Sequence, residues 1–261
     1  MASRRNWTAD EIRQVLVLYL RTPFGRLNSH NPEIIALATR LGRTPGAVAM
    51  KACNLAALDE SLPRKGLGNA SRLDRIVWNE FLEDPQALLP IHEQQMHTRT
   101  PRGDTAPPPQ PGMAEEAAED FPLPPPEATE RLVLQRQRLR QDFFRRMILA
   151  AWNERCGLTG IDDARLLNAS HIVAWRDDPR NRLNPRNGIC LNTLHDRAFD
   201  RHLITFDEDM RMIIAADVPA AARRVLERVE SSRLPQPERF APCPAFLEHH
   251  RRQFHARQRT A

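Results

Sequence analysis

Three side chains in the second half of the chain have the types and the order that suit hydrolytic chemistry: His171, Asn187 and His195. A histidine with a pKa of about 6.5 is mostly unprotonated at neutral pH, yet basic enough to take a proton from water. A neutral imidazole is also a common ligand of divalent metal ions. A hydrolytic site therefore requires elements that bring these three side chains together.

The sequence around these residues predicts a strand, a loop, a second strand and a helix. Residues 166–174 have strand character and contain His171, and a polar loop rich in proline and arginine follows. Ile189-Cys190-Leu191 predicts the second strand, and Thr193 can cap a helix that carries His195 in its first turn. Packed together, these elements would place the two histidines opposite each other across a small cleft.

This pattern resembles the HNH nuclease family, whose catalytic core is a ββα fold around one divalent metal ion. The resemblance covers about residues 130–215, and the preceding residues look like the helical leader of some bacterial members. The matching segments are Cys156-Gly-Leu-Thr-Gly160, Ala169-Ser-His-Ile172, Asn187-Gly-Ile-Cys-Leu191 and Leu194-His-Asp-Arg-Ala-Phe-Asp200.

The resemblance implies a role for each of the three residues. His171 would be the general base, and Asn187 would hold the loop and help to orient His171. His195 would bind the metal ion, which polarises the scissile phosphate and stabilises charge on the leaving oxygen. The implied cofactor is one divalent ion, Mg²⁺ first with Mn²⁺, Ni²⁺ and Zn²⁺ as alternatives. The implied substrate is double-stranded DNA, cut to leave 5′-phosphate and 3′-hydroxyl ends.

The chain departs from the family pattern at Ser170, where many members have an Asp or His as a second metal ligand. A hydroxyl is a poor ligand for a hard divalent cation, so the second protein ligand is open. Asp200 is a candidate metal ligand, although on a helix it points away from the face of His195. An ion pair of Asp200 with Arg197 or Arg201 is the alternative.

The cysteines give no support for a structural zinc site. The four cysteines lie far apart and form no Cys-x-x-Cys pair, which excludes the usual zinc spacing and a small disulfide scaffold. Buried, reduced thiols are expected instead. Apolar packing must then replace the cysteine knuckles that brace some members of the family.

The first 91 residues predict a helical domain. Residues 8–11 fit a capping box, in which Thr8 and Glu11 satisfy each other's backbone N–H groups. Asn31-Pro32 predicts the start of a second helix, and Thr44-Pro45 the start of a third. A further helix is expected from Ser71 to about residue 82.

The second and third predicted helices look like a helix-turn-helix, with Gly42 in the turn. Such a unit places its second helix in the major groove of DNA. The candidate DNA-contacting residues are then Arg43, Thr44 and Lys51. The alternative is a three-helix packing unit that makes no contact with DNA.

A change of composition separates the two halves of the chain. Nine of the 22 prolines fall between residues 101 and 126, and no apolar periodicity remains there. This predicts a largely unstructured linker over residues 92–127. The chain would then divide into a helical domain, residues 1–91, and a nuclease domain with a basic C-terminal tail, residues 128–261.

The overall balance is basic, with a net charge of +5, and only two of the 38 basic residues are lysines. Arginine suits forked contacts to phosphate, so nucleic acid is a compatible partner. No stretch approaches the roughly 20 apolar residues of a membrane span, and no signal peptide is visible. We expect a cytoplasmic protein with no membrane partner; a homodimer stays open.

These observations predict an α+β protein: a helical domain, a linker, and a ββα nuclease domain with flanking helices and a hairpin around residues 203–214. The predicted function is metal-dependent DNA cleavage, with a role in restriction or defence suggested by the resemblance. A DNA-binding regulator with a degenerate, inactive HNH fold is the main alternative, and a toxin-like nuclease is another.

Overall fold

The computed structural model describes residues 5–60, 68–97 and 128–260, in which helices come first and a mixed α+β region follows. Most of the predicted linker and most of the basic loop at residues 63–68 lie outside the described residues. The helices and strands are α1 (Ala9–Arg21), α2 (Pro32–Leu41), α3 (Pro45–Ala56), α4 (Arg72–Glu83), α5 (Leu89–His97), α6 (Ala128–Ala151), β1 (Leu167–His171), β2 (Gly188–Asn192), α7 (Thr193–Asp200), β3 (Ile204–Phe206), β4 (Met212–Ile214), α8 (Ala220–Leu226) and α9 (Pro244–Thr260).

The N-terminal helices begin and end at residues whose side chains explain their bounds. Thr8 caps α1 by accepting from the backbone N–H of Glu11, whose carboxylate accepts from the N–H of Thr8 in return. Asn31 caps α2, which ends at Gly42 in the left-handed conformation with φ of 60°. Thr44 then caps α3. The starts of α2 and α3 and the turn at Gly42 are therefore those that the sequence predicts.

The second half contains the predicted strand–loop–strand–helix order. β1 and β2 pair antiparallel, with His171 opposite Gly188, and α7 packs against both strands. The helix α7 is capped by Asn192 rather than by Thr193. The predicted hairpin is present as β3 and β4, but it forms a second two-stranded sheet instead of extending the first.

The C-terminal segment is not the loose tail that its charge suggested, because most of it is helix α9. Leu247, His250 and Phe254 lie on one buried face of this helix. Arg257 forms an ion pair with Asp217, at 2.7 Å between Nη2 and Oδ2. The apolar face fixes the helix on the protein, while the basic residues lie on its other sides.

The two halves of the chain are packed against each other over one hydrophobic core. The rings of Trp78 and Phe240 stack with their centroids 6.2 Å apart. The guanidinium of Arg239 is fully buried and donates to the backbone carbonyls of Tyr19 and Thr22, at 2.6 and 2.7 Å. These contacts hold α1 and α4 directly against the C-terminal segment.

Helix α6 is the central element of this arrangement, since it contacts α1 and α5 on one side and β1 and β2 on the other. Helix α5 continues to His97, so the first residues of the predicted linker are helical. The division of the chain into two domains stays a prediction. No helix within the described ranges is long and apolar enough to cross a bilayer.

Candidate active site

His171 lies at the end of β1 with its ring held on three sides. Its Nε2 is 3.0 Å from the backbone carbonyl of Arg182, in the loop between β1 and β2. One face of the ring stacks on Phe144 of α6, and the edge of Trp175 completes the enclosure. Burial lowers the pKa of His171 to about 4 despite the contact with the Arg182 carbonyl. The imidazole is therefore neutral at pH 7.

Asn187 fixes the loop that supplies this carbonyl. Its amide oxygen accepts from the backbone N–H of Val173 at 2.8 Å, and its Nδ2 donates to the carbonyl of Val173 at 3.1 Å. The backbone carbonyl of Asn187 accepts from the N–H of Ile172 at 3.0 Å. The buried amide thus binds both ends of the loop to each other, two residues beyond the end of the strand that carries His171.

His195 lies in the first turn of α7, fully buried, with an oxygen beside each ring nitrogen. Its Nδ1 is 3.1 Å from Asn192 Oδ1, and its Nε2 is 3.0 Å from the carbonyl of Leu226 at the end of α8. Burial lowers its pKa, so the ring is neutral at pH 7. Coordination of a metal ion through Nε2 would require loss of the contact with Leu226. The metal role of His195 stays a prediction.

Asp196, the next residue of α7, is buried against β1. Its Oδ2 accepts from Asn168 Nδ2 at 2.6 Å, and its Oδ1 accepts from Ser170 Oγ at 2.5 Å. Burial raises the pKa of Asp196, although these two donors and the nearby Arg197 and Arg145 favour the ionised form. Ser170 therefore faces the protein as a hydrogen-bond donor to a carboxylate.

Asp200 lies one helical turn beyond Asp196 on the same face of α7. Part of Asp200 is exposed to solvent, yet the surrounding protein raises the pKa of this carboxyl to about 7. Desolvation is the main cause, and the charge of Asp196 adds to it, against the opposing effect of Arg197 and Arg201. No salt bridge of Asp200 with either arginine occurs within the described residues. The metal role of Asp200 stays a prediction.

The donor set around Asp196 fits a hard divalent cation. Two carboxylates with raised pKa values lie on one face of α7, and Asn168 and Ser170 donate hydrogen bonds to one of them. Each carboxylate oxygen of Asp196 accepts one hydrogen bond and keeps a further lone pair. No group of three or more His, Cys, Asp or Glu side chains suited to a metal ion occurs in the described ranges. Two carboxylates still suffice for Mg²⁺, which usually keeps several water ligands.

The three residues predicted to contact DNA in the N-terminal half lie elsewhere and have other partners. Arg43 forms a forked pair with Glu11, at 2.7 and 3.2 Å, and its side chain is only 9% exposed. Lys51 is buried with its Nζ 2.9 Å from Asp74 Oδ1. Thr44 is exposed, and its hydroxyl caps α3. A DNA-binding role for these residues stays a prediction, which the internal ion pairs of Arg43 and Lys51 disfavour.

Sequence reasoning missed Asp196, which the structure places at the centre of the polar cluster. One signal for it was available: Asp196 and Asp200 are four residues apart, the spacing that puts two side chains on one helix face. The sequence also gave no reason to single out Phe144, because its contact with His171 joins elements that are distant along the chain.

Comparison with protein families gives a match over residues 156–207 to the model described as HNH endonuclease. The matched range extends from Cys156 through β1, β2 and α7 to the end of β3. It therefore contains His171, Asn187, His195 and both aspartates of the cluster. A search of curated proteins gives no match for the chain.

Proposed function

Because residues 156–207 form a domain of the HNH endonuclease family, we propose that this chain is a metal-dependent endonuclease that hydrolyses phosphodiester bonds in double-stranded DNA. One observation carries the proposal. Within the matched segment, a neutral histidine lies at the end of β1, and two carboxylates with raised pKa values lie on α7, the helix that packs against this strand.

His171 is proposed as the general base. A neutral imidazole has one N–H, and Nε2 donates it to the carbonyl of Arg182, which leaves the lone pair on Nδ1. Among the described residues, none forms a hydrogen bond with this Nδ1. The pKa of about 4 leaves Nδ1 unprotonated at neutral pH and therefore available for the proton of the attacking water, while it also makes this imidazole a weaker base than a free histidine. Asn187 supports this by fixing the loop that contains the Arg182 carbonyl.

Asp196 and Asp200 are proposed to hold the metal ion, with Mg²⁺ or Mn²⁺ preferred by their oxygen donors. The chemistry that such an ion supplies is polarisation of the scissile phosphate and stabilisation of charge on the leaving oxygen. Asn168 and Ser170 orient the Asp196 carboxylate by donating to both of its oxygens. The expected products carry 5′-phosphate and 3′-hydroxyl ends.

Arginines on the same helix support a polyanionic substrate. Arg197 on α7 and Arg201, which follows its last residue, are exposed, and neither side chain forms a hydrogen bond or an ion pair with any described residue. Their guanidinium groups are free to bind phosphate oxygens close to the carboxylate pair. A role in restriction or defence is proposed from the family resemblance alone, because none of these side chains bears on it.

The second candidate function is a DNA-binding regulator with an inactive HNH fold. The observation that favours it is the position of His195, whose two nitrogens both lie beside oxygen acceptors. A regulator of this kind would bind DNA through Arg197 and Arg201 and cleave nothing. The two candidates differ in one measurable respect, which is hydrolysis.

The test is incubation of supercoiled plasmid with the purified protein and Mg²⁺, Mn²⁺, Ni²⁺ or Zn²⁺, in parallel with His171→Ala and His30→Ala. General base catalysis contributes roughly 10²- to 10⁴-fold, so His171→Ala should cut slower by that factor. His30 is an exposed histidine of the N-terminal half, and its variant should cut like the wild type. Absence of cleavage with every metal favours the regulator, and equal cleavage by His171→Ala removes the proposed base.

A further inference from the structure

Phe144 makes the closest ring contact of His171. The two ring centroids are 3.8 Å apart and the ring planes are inclined by only 14°, which is a stacked pair. Trp175 meets the same imidazole edge-on, at 5.4 Å and 87°. The Phe144 side chain is buried, with 2% of its surface exposed. The imidazole therefore lies on a flat apolar surface that belongs to α6 and not to the ββα unit itself.

The close approach of α6 depends on Gly188, the residue opposite His171 in the β1–β2 pair. A Cβ at this position would lie 2.8 Å from Phe144 Cζ and 2.4 Å from Ile148 Cδ1. The backbone of Gly188 is extended, with φ of −142°, so its conformation does not require glycine. Glycine is required because the side chains of α6 occupy the space that a Cβ would need. The Asn-Gly pair of the sequence thus provides room for the phenyl ring on which His171 stacks.

We propose that Phe144 is a positioning residue for the general base. The torsion that turns a histidine ring about its Cβ–Cγ bond is broad and roughly two-fold, so the strand alone does not fix the ring plane. Stacking on Phe144 selects the plane, and the Arg182 carbonyl selects which nitrogen faces it. Together they keep Nδ1 in one direction. This role rests on the proposed function, since it matters only if His171 acts as the base.

The chain offers a matched control in the preceding residue. Phe143 is also fully buried on α6, but it faces the N-terminal helices and lies 4.7 Å from the ring of His92. Replacement of either phenylalanine by leucine removes one buried aromatic ring from the same helix. Only Phe144→Leu removes the stacking partner of His171.

The first measurement is steady-state cleavage by Phe144→Leu and Phe143→Leu. An aromatic pair contributes a factor of roughly three to ten beyond its apolar area, so kcat of Phe144→Leu should fall by about that factor. KM should not change, because Phe144 is buried and does not touch DNA. Phe143→Leu should keep kcat within about twofold of the wild type after correction for any unfolded fraction.

The second measurement is the NMR spectrum of the histidine ring protons, with the His171 signals identified by their loss in His171→Ala. The ring current of Phe144 should displace these signals upfield in the wild type. The displacement should disappear in Phe144→Leu and persist in Phe143→Leu. If Phe144→Leu does not fold, Phe144→Met tests the same contact with an unbranched side chain that fills gaps well.

Two results would overturn the positioning role: an undisplaced His171 signal in the wild type, or a folded Phe144→Leu that cleaves with wild-type kcat. Neither is the result that would refute the nuclease proposal. A wild type that cuts no DNA but shows the displaced signal would refute the catalytic function and leave the packing intact.

Discussion

Asp74 in the N-terminal half and Asp196 in the C-terminal half are both buried aspartates, but their partners differ in charge. Asp74 receives a charged pair of hydrogen bonds from Lys51, at 2.9 and 3.0 Å. Asp196 receives its hydrogen bonds from the neutral side chains of Asn168 and Ser170. Within the described residues, Asp196 forms no salt bridge. One carboxylate is paired with a cation of the protein, and the other is held by neutral hydrogen-bond donors.

The same difference extends over the two halves. In the N-terminal helices, Arg43 pairs with Glu11 and Arg13 pairs with Glu80, in addition to Lys51 with Asp74. On α7 the carboxylates lie together with raised pKa values, and Arg197 is exposed beside them. Unfavourable electrostatics of this kind are concentrated at functional sites, where a ligand removes them. The comparison supports the proposal that the metal ion and the DNA bind at α7, with the N-terminal helices as a scaffold.

The largest expected effect tests the scaffold. Lys51→Met leaves the Asp74 carboxylate buried without its cation, which should lower the free energy of unfolding by about 3–5 kcal/mol in urea titrations. DNA affinity of the folded variant should be unchanged, because Lys51 is buried. Lys51→Met combined with Asp74→Asn should recover much of the stability. A variant of wild-type stability that binds DNA tenfold more weakly would restore the helix-turn-helix hypothesis.

The second prediction concerns the other buried aspartate. In the wild type, Mg²⁺ or Mn²⁺ at 100 times its dissociation constant should stabilise the fold by about 2.7 kcal/mol, measured as a rise in Tm. Asp196→Asn should abolish this rise while leaving the metal-free protein at least as stable as the wild type, because the cost of a buried charge is removed. Asp74→Asn should be destabilised and keep the metal response. An unchanged metal response in Asp196→Asn would place the ion elsewhere.

The third prediction is a loss of stability in acid that comes mainly from the C-terminal half. The histidines with lowered pKa values are His92 in the N-terminal half and His171, His195, His202 and His250 in the other. Each takes up a proton in the unfolded chain near pH 6.5 but resists it when folded. Their contribution is therefore complete above that pH and is lost as pH falls towards the folded values, which are about 4 for His171 and about 3 for His250.

Urea titrations between pH 8 and pH 5 measure this effect. One histidine contributes at most about 1.4 kcal/mol per pH unit, so His250→Gln should flatten the dependence by no more than that amount. His30 is exposed, and His30→Gln should leave the slope unchanged. A free energy of unfolding that does not fall between pH 7 and pH 5 would contradict the burial of these histidines.

The parts of the molecule that could be predicted from the sequence are those that depend on neighbouring residues. The ββα order, the Thr8 capping box and the helix starts at Asn31 and Thr44 depend on patterns a few residues long. The contact of His195 with Leu226 depends on how α8 folds back on α7, which no local pattern specifies. The ion pair of Lys51 with Asp74 could not be predicted either, because it joins residues of two helices that are 23 positions apart in the sequence.

Charge was the most misleading part of the sequence. The basic C-terminal segment suggested a solvated tail, yet Leu247, His250 and Phe254 form a buried helix face at a spacing that was visible beforehand. Arg43 and Lys51 suggested a DNA surface, but the charge of a side chain does not reveal whether an opposite charge from another helix will meet it. The positions of Glu11 and Asp74 follow only from the packing of α1, α3 and α4.

The smallest expected effect asks where DNA binds. Arg197→Gln and Arg201→Gln, made together in the His171→Ala background, should weaken DNA binding by removing two phosphate contacts. Each phosphate contact contributes about 0.9 to the slope of log affinity against log salt concentration, so the double variant should lower the slope by roughly 1.8. The control is Arg43→Gln, which loses a positive charge that is paired with Glu11 inside the protein and should leave the slope unchanged. If Arg43→Gln lowers the slope and the α7 double variant does not, DNA binds to the N-terminal helices and the contrast between the two halves is reversed.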